Sequence, residues 1–200
     1  MSFAREAFLF PLPLVAVALL ALYFGFPILA VLFLVVAGFV VFFFRDPERE
    51  IPDSDDCILS PADGKVVGIR QEAGGTRISI FLSIFNVHVN RAPVDGRVEQ
   101  SEHRKGKFLF AFDDRASIDN ERHLFRIGDI SFALIAGLVA RRIVPWKKQG
   151  EFVRRGDRIA LIRFGSRVDL LVPADGEVVV AEGDRVRAGT SILARRRRQN

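Results

Sequence analysis

Pro61-Ala62-Asp63-Gly64-Lys65-Val66-Val67 returns late in the chain as Pro173-Ala174-Asp175-Gly176-Glu177-Val178-Val179, and more faintly as Pro93-Val94-Asp95-Gly96-Arg97-Val98. In each copy the Asp-Gly pair supplies a turn and the valine that follows starts a strand. A turn-strand unit used repeatedly predicts a duplicated β fold. The stretches between agree with it. Ile78, Ile80 and Leu82 alternate with Ser79, Phe81 and Ser83, and short strand-like runs recur at 87–89, 130–135, 158–164, 168–172 and 177–180. Gly, Asp and Pro punctuate them at short intervals, as in a small sandwich or barrel. No long amphipathic helix competes, although 116–123 has the pattern of a short one.

Ahead of this region the chain changes character. From Phe8 to Phe44 there is no charged residue over 37 positions. One membrane span needs roughly 20 apolar residues, so the run is long for one span and short for two. Gly25 and Pro27 divide it near 8–23 and 28–44. Each part covers about 24 Å as a helix, against a hydrocarbon core of roughly 30 Å. The expectation is a tight helical hairpin over residues 1–44 serving as a membrane anchor, and not a cleavable signal peptide. Arg5 precedes the run and Arg45 and Arg49 follow it. By the positive-inside rule both ends then lie in the cytoplasm, with a domain over 45–200 on the cytoplasmic side of the cell membrane.

Apart from Arg5 and Glu6, every charge lies in residues 45–200, which therefore carry the net +5, concentrated in Arg195-Arg196-Arg197-Arg198. No element that reads nucleic acid is evident. Attraction to anionic lipid head groups is the simpler expectation, with a solvated tail as the plain alternative. Cys57 is the single cysteine, which excludes an intrachain disulfide and a multi-cysteine metal site. No His, Glu or Asp cluster has metal-ligand spacing. The lysines offer no context for pyridoxal phosphate.

Few residues remain that could carry chemistry. His103 and His123 sit among charges and read as solvated. His88 differs: in an extended strand Asn86, His88 and Asn90 share one face while Val87 and Val89 take the other. A structural histidine in a polar cluster is the equal alternative. Asp63 is the first residue of an Asp-Gly turn that Asp95 and Asp175 reuse, so a turn role suffices for it locally. Gly165-Ser166, within Arg163-Phe164-Gly165-Ser166-Arg167-Val168-Asp169, is an ordinary turn pair on its own. Together, carboxylate, imidazole and hydroxyl are the components that activate a nucleophile. Gly-x-Ser-x-Gly is absent, so a hydrolase elbow is not supported.

Five segments in order carry a family resemblance. They are Phe43-Phe44-Arg45-Asp46-Pro47, Ser60-Pro61-Ala62-Asp63-Gly64, and Phe85-Asn86-Val87-His88-Val89-Asn90-Arg91-Ala92-Pro93. Asn120-Glu121-Arg122 and the Gly165-Ser166 segment complete the set. Behind a hydrophobic N-terminus, this series resembles the short, bacterial and archaeal type of phosphatidylserine decarboxylase proenzyme over nearly the whole chain. Two departures stand out. Longer members carry Leu-Gly-Ser-Thr where this chain has Phe-Gly-Ser-Arg. They also carry two histidines three residues apart, at positions that match His88 and Arg91 here. That leaves His88 as the candidate for both steps of the chemistry.

The alternation and the Asp-Gly repeats imply a mainly β fold, and Gly183 to Leu193 is similar to the final hairpin of lipoyl/biotinyl-like barrels. The expected architecture is thus a pseudo-duplicated lipoyl/biotinyl-like sandwich or barrel behind the hydrophobic hairpin. The family resemblance implies self-cleavage between Gly165 and Ser166, giving a β chain of 1–165 and an α chain of 166–200 that stay together as a heterodimer, with any higher oligomer left open. By analogy His88, oriented by Asp63, deprotonates Ser166. Ser166 becomes a pyruvoyl group that forms a Schiff base with phosphatidylserine, and phosphatidylethanolamine and CO2 result. Archaetidylserine is an alternative substrate. A non-catalytic, membrane-tethered lipoyl-like adaptor is the rival from another class; it leaves the polar triplet around His88 unexplained.

Overall fold

Gly25 and Pro27 interrupt the apolar run, so it folds as two helices. The computed structural model describes residues 2–3, 9–106, 120–137, 142–163 and 166–197. Helix α1 (Pro11–Tyr23) has 13 residues and α2 (Pro27–Phe43) has 17. A proline opens each, where its missing N–H leaves nothing unsatisfied. Gly25 takes the positive φ of 79° that the reversal between them requires. Ala18, Ala21 and Ala30 pack together with Phe33 against them. At the helical rise the two are about 20 and 26 Å long. Among the described residues no helix is long and apolar enough to cross a membrane. This corrects two expectations, the membrane-anchor hairpin and the cell-membrane placement argued from it. The break that makes a pair of helices also leaves each member short. The pair, with β1 (Ser2–Phe3) antiparallel to β2 (Arg45–Asp46), lies in the first of two compact units, Met1–Glu48 and Arg49–Asn200.

The second unit is β throughout. Its strands are β3 (Cys57–Leu59), β4 (Gly64–Glu72), β5 (Gly75–Leu82), β6 (Val89–Arg91), β7 (Gly96–Arg104), β8 (Arg122–Ile127) and β9 (Ile130–Ala136). They continue with β10 (Arg142–Pro145), β11 (Phe152–Val153), β12 (Arg158–Arg163), β13 (Ser166–Pro173), β14 (Gly176–Val178), β15 (Arg185–Val186) and β16 (Ile192–Arg196). An eight-stranded antiparallel sheet runs β11-β7-β8-β9-β13-β5-β4-β15, and two three-stranded sheets run β10-β12-β6 and β14-β16-β3. Alternate residues such as Ile78, Ile80, Val168, Leu170 and Val172 fill one core with Ile58, Phe125, Ile127 and Leu193. Each such side chain contributes roughly 1.5–3 kcal/mol on burial. The short helix expected at 116–123 is not formed over its described part: Asn120 makes a bridge and Arg122 opens β8, while 116–119 lie outside the described residues. Nor do residues 183–193 close a hairpin, because β15 pairs with β4 and β16 with β3.

The pairing shows what is duplicated. Residues 89–163 form one seven-strand copy (β6 to β12), and β3, β4, β5, β13, β14, β15 and β16 form the other. Val186 faces Gly64 as Val153 faces Gly96. Leu59 N–H donates to Pro93 O at 2.9 Å, and its mate Arg91 N–H donates to Pro61 O at 3.0 Å. Gly183 N–H reaches Val66 O as Gly150 N–H reaches Val98 O, both at 2.8 Å. In the second copy β8 turns into β9 through Gly128 and Asp129. The equivalent turn of the first copy is opened, and residues 83–165 are inserted there between Leu82 and Ser166, which face each other across β5 and β13.

Candidate active site

Both chain crossings between the copies meet at one place. The outgoing crossing leaves β5 at Leu82 and turns at Ser83–Asn86, where Asn86 N–H donates to Ser83 O at 3.0 Å. Asn86 Oδ1 accepts from Ser83 N–H at 2.9 Å and from Ser83 Oγ at 2.8 Å, which closes the turn twice more. Two residues later His88 is fully buried, with Nδ1 2.9 Å from Asn86 O. A carbonyl only accepts, so Nδ1 carries the proton, and in the neutral ring Nε2 presents a lone pair. His88 O accepts from Ile162 N–H at 3.2 Å, which ties it to the returning crossing four residues before Ser166.

Ser166 opens β13 at the centre of the large sheet, paired with Leu82 on one side and Ala136 on the other. It is fully buried, and its Oγ has no hydrogen-bond partner among the described residues. Buried hydroxyls are normally satisfied, so such an atom calls for a reason. Asn120, buried beside the same strand, donates from Nδ2 to Ala136 O at 2.9 Å, and Ala136 N–H returns to Glu121 O. Gly165, the other half of the expected cleavage pair, lies outside the described residues. A groove of about 370 Å³ lined by Arg77, Leu124, Phe132, Asp169 and Leu171 lies on the opposite face of β13. Strand alternation turns Ser166 away from it, toward Val168 and Leu170.

Asp63 has different partners from those expected. Arg49 Nη2 donates to both of its oxygens at 2.9 Å, and Ala188 N–H donates to Oδ1 at 2.8 Å. Among the described residues no hydrogen bond joins Asp63 to His88, whose ring is held by the Asn86 carbonyl instead. The two-fold mate of Asp63 pins backbone in the same way. Asp95 Oδ1 accepts Arg155 N–H at 2.9 Å, ahead of Gly156 as Ala188 is ahead of Gly189. The mates differ in setting, since Asp63 is buried and Asp95 exposed. Asp175 is exposed too and lies on the connection from β13 to β14.

Other expectations change with the fold. Asn86, His88 and Asn90 do not share one strand face, because β6 begins only at Val89; Asn90 Nδ2 donates to Pro61 O at 3.2 Å. Arg91 is buried and donates from Nη1 to Gly156 O at 2.9 Å, a brace within the copy formed by residues 89–163. His103 is exposed as read, but His123 is buried against Phe125, with ring centroids 4.6 Å apart. Burial, and secondarily His103, lowers its pKa to about 4. Its charged sequence neighbours hid this, since alternate residues of a strand see opposite environments. Arg49 was visible only as a flanking charge, and no local signal links it to a turn 14 residues away.

The model of the phosphatidylserine decarboxylase family matches residues 36–194. The chain belongs to that family. It is 44% identical to a phosphatidylserine decarboxylase proenzyme of Solibacter usitatus, with 98% of each chain covered. A proenzyme of the same name from Symbiobacterium thermophilum is 47% identical over 96% of this chain and 94% of its own. One from Desulfotalea psychrophila is 43% identical over 83% of each. Family membership makes this chain a lyase of phospholipid biosynthesis, a self-processing decarboxylase that takes phosphatidylserine to phosphatidylethanolamine and CO2. Members use a pyruvoyl group generated by their own cleavage.

Proposed function

We propose that this chain cleaves itself between Gly165 and Ser166 and decarboxylates phosphatidylserine with the group that Ser166 leaves behind. The observation that carries the reading is the Ser166 hydroxyl, buried and without a partner among the described residues at the first position of a central strand. A hydroxyl at that point suits a nucleophile directed at the preceding carbonyl, and a pyruvoyl group there would begin a chain already paired on both sides. His88 Nε2 takes the hydroxyl proton as Ser166 Oγ attacks the Gly165 carbonyl, and the peptide becomes an ester. Loss of the Ser166 Cα proton expels the Gly165 carboxylate, and water then releases ammonia from the new α chain. A positioned base of this kind contributes typically about 10²–10⁴-fold.

The Asn86 carbonyl sets the His88 tautomer in this scheme. Asp63 is a positioning residue: with Arg49 it holds Ala188, and so anchors the α chain of 166–200 to the β chain of 1–165 as a heterodimer. The pyruvoyl group supplies an electron sink for loss of CO2. His88 returns a proton to the substrate carbon, and the apolar core beneath Ser166 excludes water.

Intact-mass measurement tests the reading. The purified protein should be two chains, the smaller blocked at its N-terminus and derived from Ser166. Ser166→Ala and His88→Ala should both remain a single chain of 200 residues. Activity in a preparation holding only the uncut chain would refute the scheme.

A further inference from the structure

The turn that joins Leu82 to His88 carries two large apolar residues at its corners. Ile84 is 42% exposed and Phe85 63% exposed. Among the described residues of the second unit the other exposed large apolar side chains are Val67, Phe152 and Val179, none adjacent to another in sequence. Scattered single residues need no explanation, whereas a contiguous apolar patch does. Turn corners favour Pro, Asp, Asn, Ser and Gly, and two bulky apolar residues there gain nothing for the turn itself. The turn is nonetheless held rigidly, by three hydrogen bonds through Ser83 and Asn86. Its ends are the strand position facing Ser166 and the carbonyl that holds His88.

We propose that Ile84 and Phe85 are the acyl-chain contact of the decarboxylation site and set its preference for diacyl over deacylated substrate. The inference rests on the function proposed above, which supplies the substrate class. A phosphatidylserine whose amino and carboxyl groups reach the end of β13 has its glycerol and acyl chains some bonds away. This turn is exposed apolar surface joined directly to the site, through Leu82 opposite Ser166 and the Asn86 carbonyl on His88. Ser166 and His88 themselves are fully buried. The pair therefore contributes binding and not chemistry.

The test uses the full-length, self-cleaved enzyme and two soluble substrates, glycerophosphoserine and dihexanoyl phosphatidylserine kept monomeric. In Ile84→Ser/Phe85→Ser, KM for the diacyl substrate should rise about tenfold, as loss of two apolar contacts implies. Its kcat, its action on glycerophosphoserine and its self-cleavage should be unchanged, and Phe85→Leu should retain most of the affinity. Equal loss on both substrates, no change on either, or a changed oligomeric state with unchanged KM would overturn the inference. Should the double variant fail to cleave, the unaltered enzyme decides: kcat/KM must rise along the dibutyroyl, dihexanoyl and dioctanoyl series, and a flat series refutes the contact. Inactivity of the unaltered enzyme on every substrate would instead refute the proposed function.

Discussion

Asp63 and Asp95 offer an internal control at the scale of single residues, because each pins the N–H before a positive-φ glycine. Asp63→Asn breaks a pair whose side chains are only 9% and 11% exposed, and should cost about 2–4 kcal/mol. Asp95→Asn loosens a pair with Arg155 in which the carboxylate itself is exposed, and should cost under about 1 kcal/mol. Precursor should accumulate in Asp63→Asn and not in Asp95→Asn, read by the half-time of self-cleavage and by denaturant midpoints. Equal slowing in both would mean that pinning the loop, which both copies need, is all that Asp63 does. His123 makes a pH-dependent prediction. Ser101 Oγ donates to Lys147 O and so accepts from His123 Nε2–H, which leaves Nδ1 as a buried acceptor with no partner among the described residues. Its folded pKa of about 4 lies below the ordinary 6.5. The unfolded chain therefore binds the proton first, and stability falls as pH drops from 6.5 to 4. The loss is on the order of 3 kcal/mol and constant below that window. In His123→Gln the uncut Ser166→Ala background should lose that component of its acid sensitivity; an unaltered profile would show that other groups account for it.

At the scale of elements, what separates the glycines is the space each strand leaves. Gly64 opens β4 so close to β5 that a Cβ would lie 2.3 Å from Phe81 O. Backbone cannot yield as a side-chain tip does, so Gly64→Ala should destabilise by about 2–4 kcal/mol or block folding. Gly68, at the irregularity in the same pairing, has its nearest neighbour 3.9 Å from a built Cβ. Gly68→Ala should change stability by less than about 1 kcal/mol. Paired urea melts of the two variants check this, and similar midpoints would show that the β4–β5 contact relaxes. The Asp-Gly turns at 63–64 and 95–96 were legible because a turn is written in adjacent residues. Nothing adjacent shows that the first must lie flush against β5.

For the whole molecule, insertion of one copy into a hairpin of the other explains why a cut at 165/166 need not release anything. The segment after Ser166 supplies β13, paired along its length with β5 and β9, and supplies β14, β15 and β16. Val168, Leu170, Val172, Val186 and Leu193 sit in the shared core, each contributing roughly 1.5–3 kcal/mol. The two cleavage products should therefore co-elute on native gel filtration and separate only in denaturant. A synthetic 166–200 peptide should show no β signal alone, since its strands pair with residues it lacks. Independent folding of either product would contradict the interlocked arrangement.

The sequence alone determined the β character of residues 45–200, the positions of the Asp-Gly turns, the break in the apolar run and the kinds of residue that could act. These are local: alternation, turn chemistry and a glycine-proline interruption each need only a few neighbours. Only the tertiary structure decided which echo is the true mate of Pro61-Ala62-Asp63-Gly64. The near-identical letters at 173–179 span the end of β13, a two-residue connection and β14, while the fainter copy at Pro93 shares the reciprocal bonds and the returning loop. Tertiary structure likewise put Arg49 and Ala188 on Asp63, the Asn86 carbonyl on His88, and His123 out of water. Partner and burial depend on groups that arrive from distant parts of the chain, and hydrogen-bond geometry, not resemblance between short segments, selects among them.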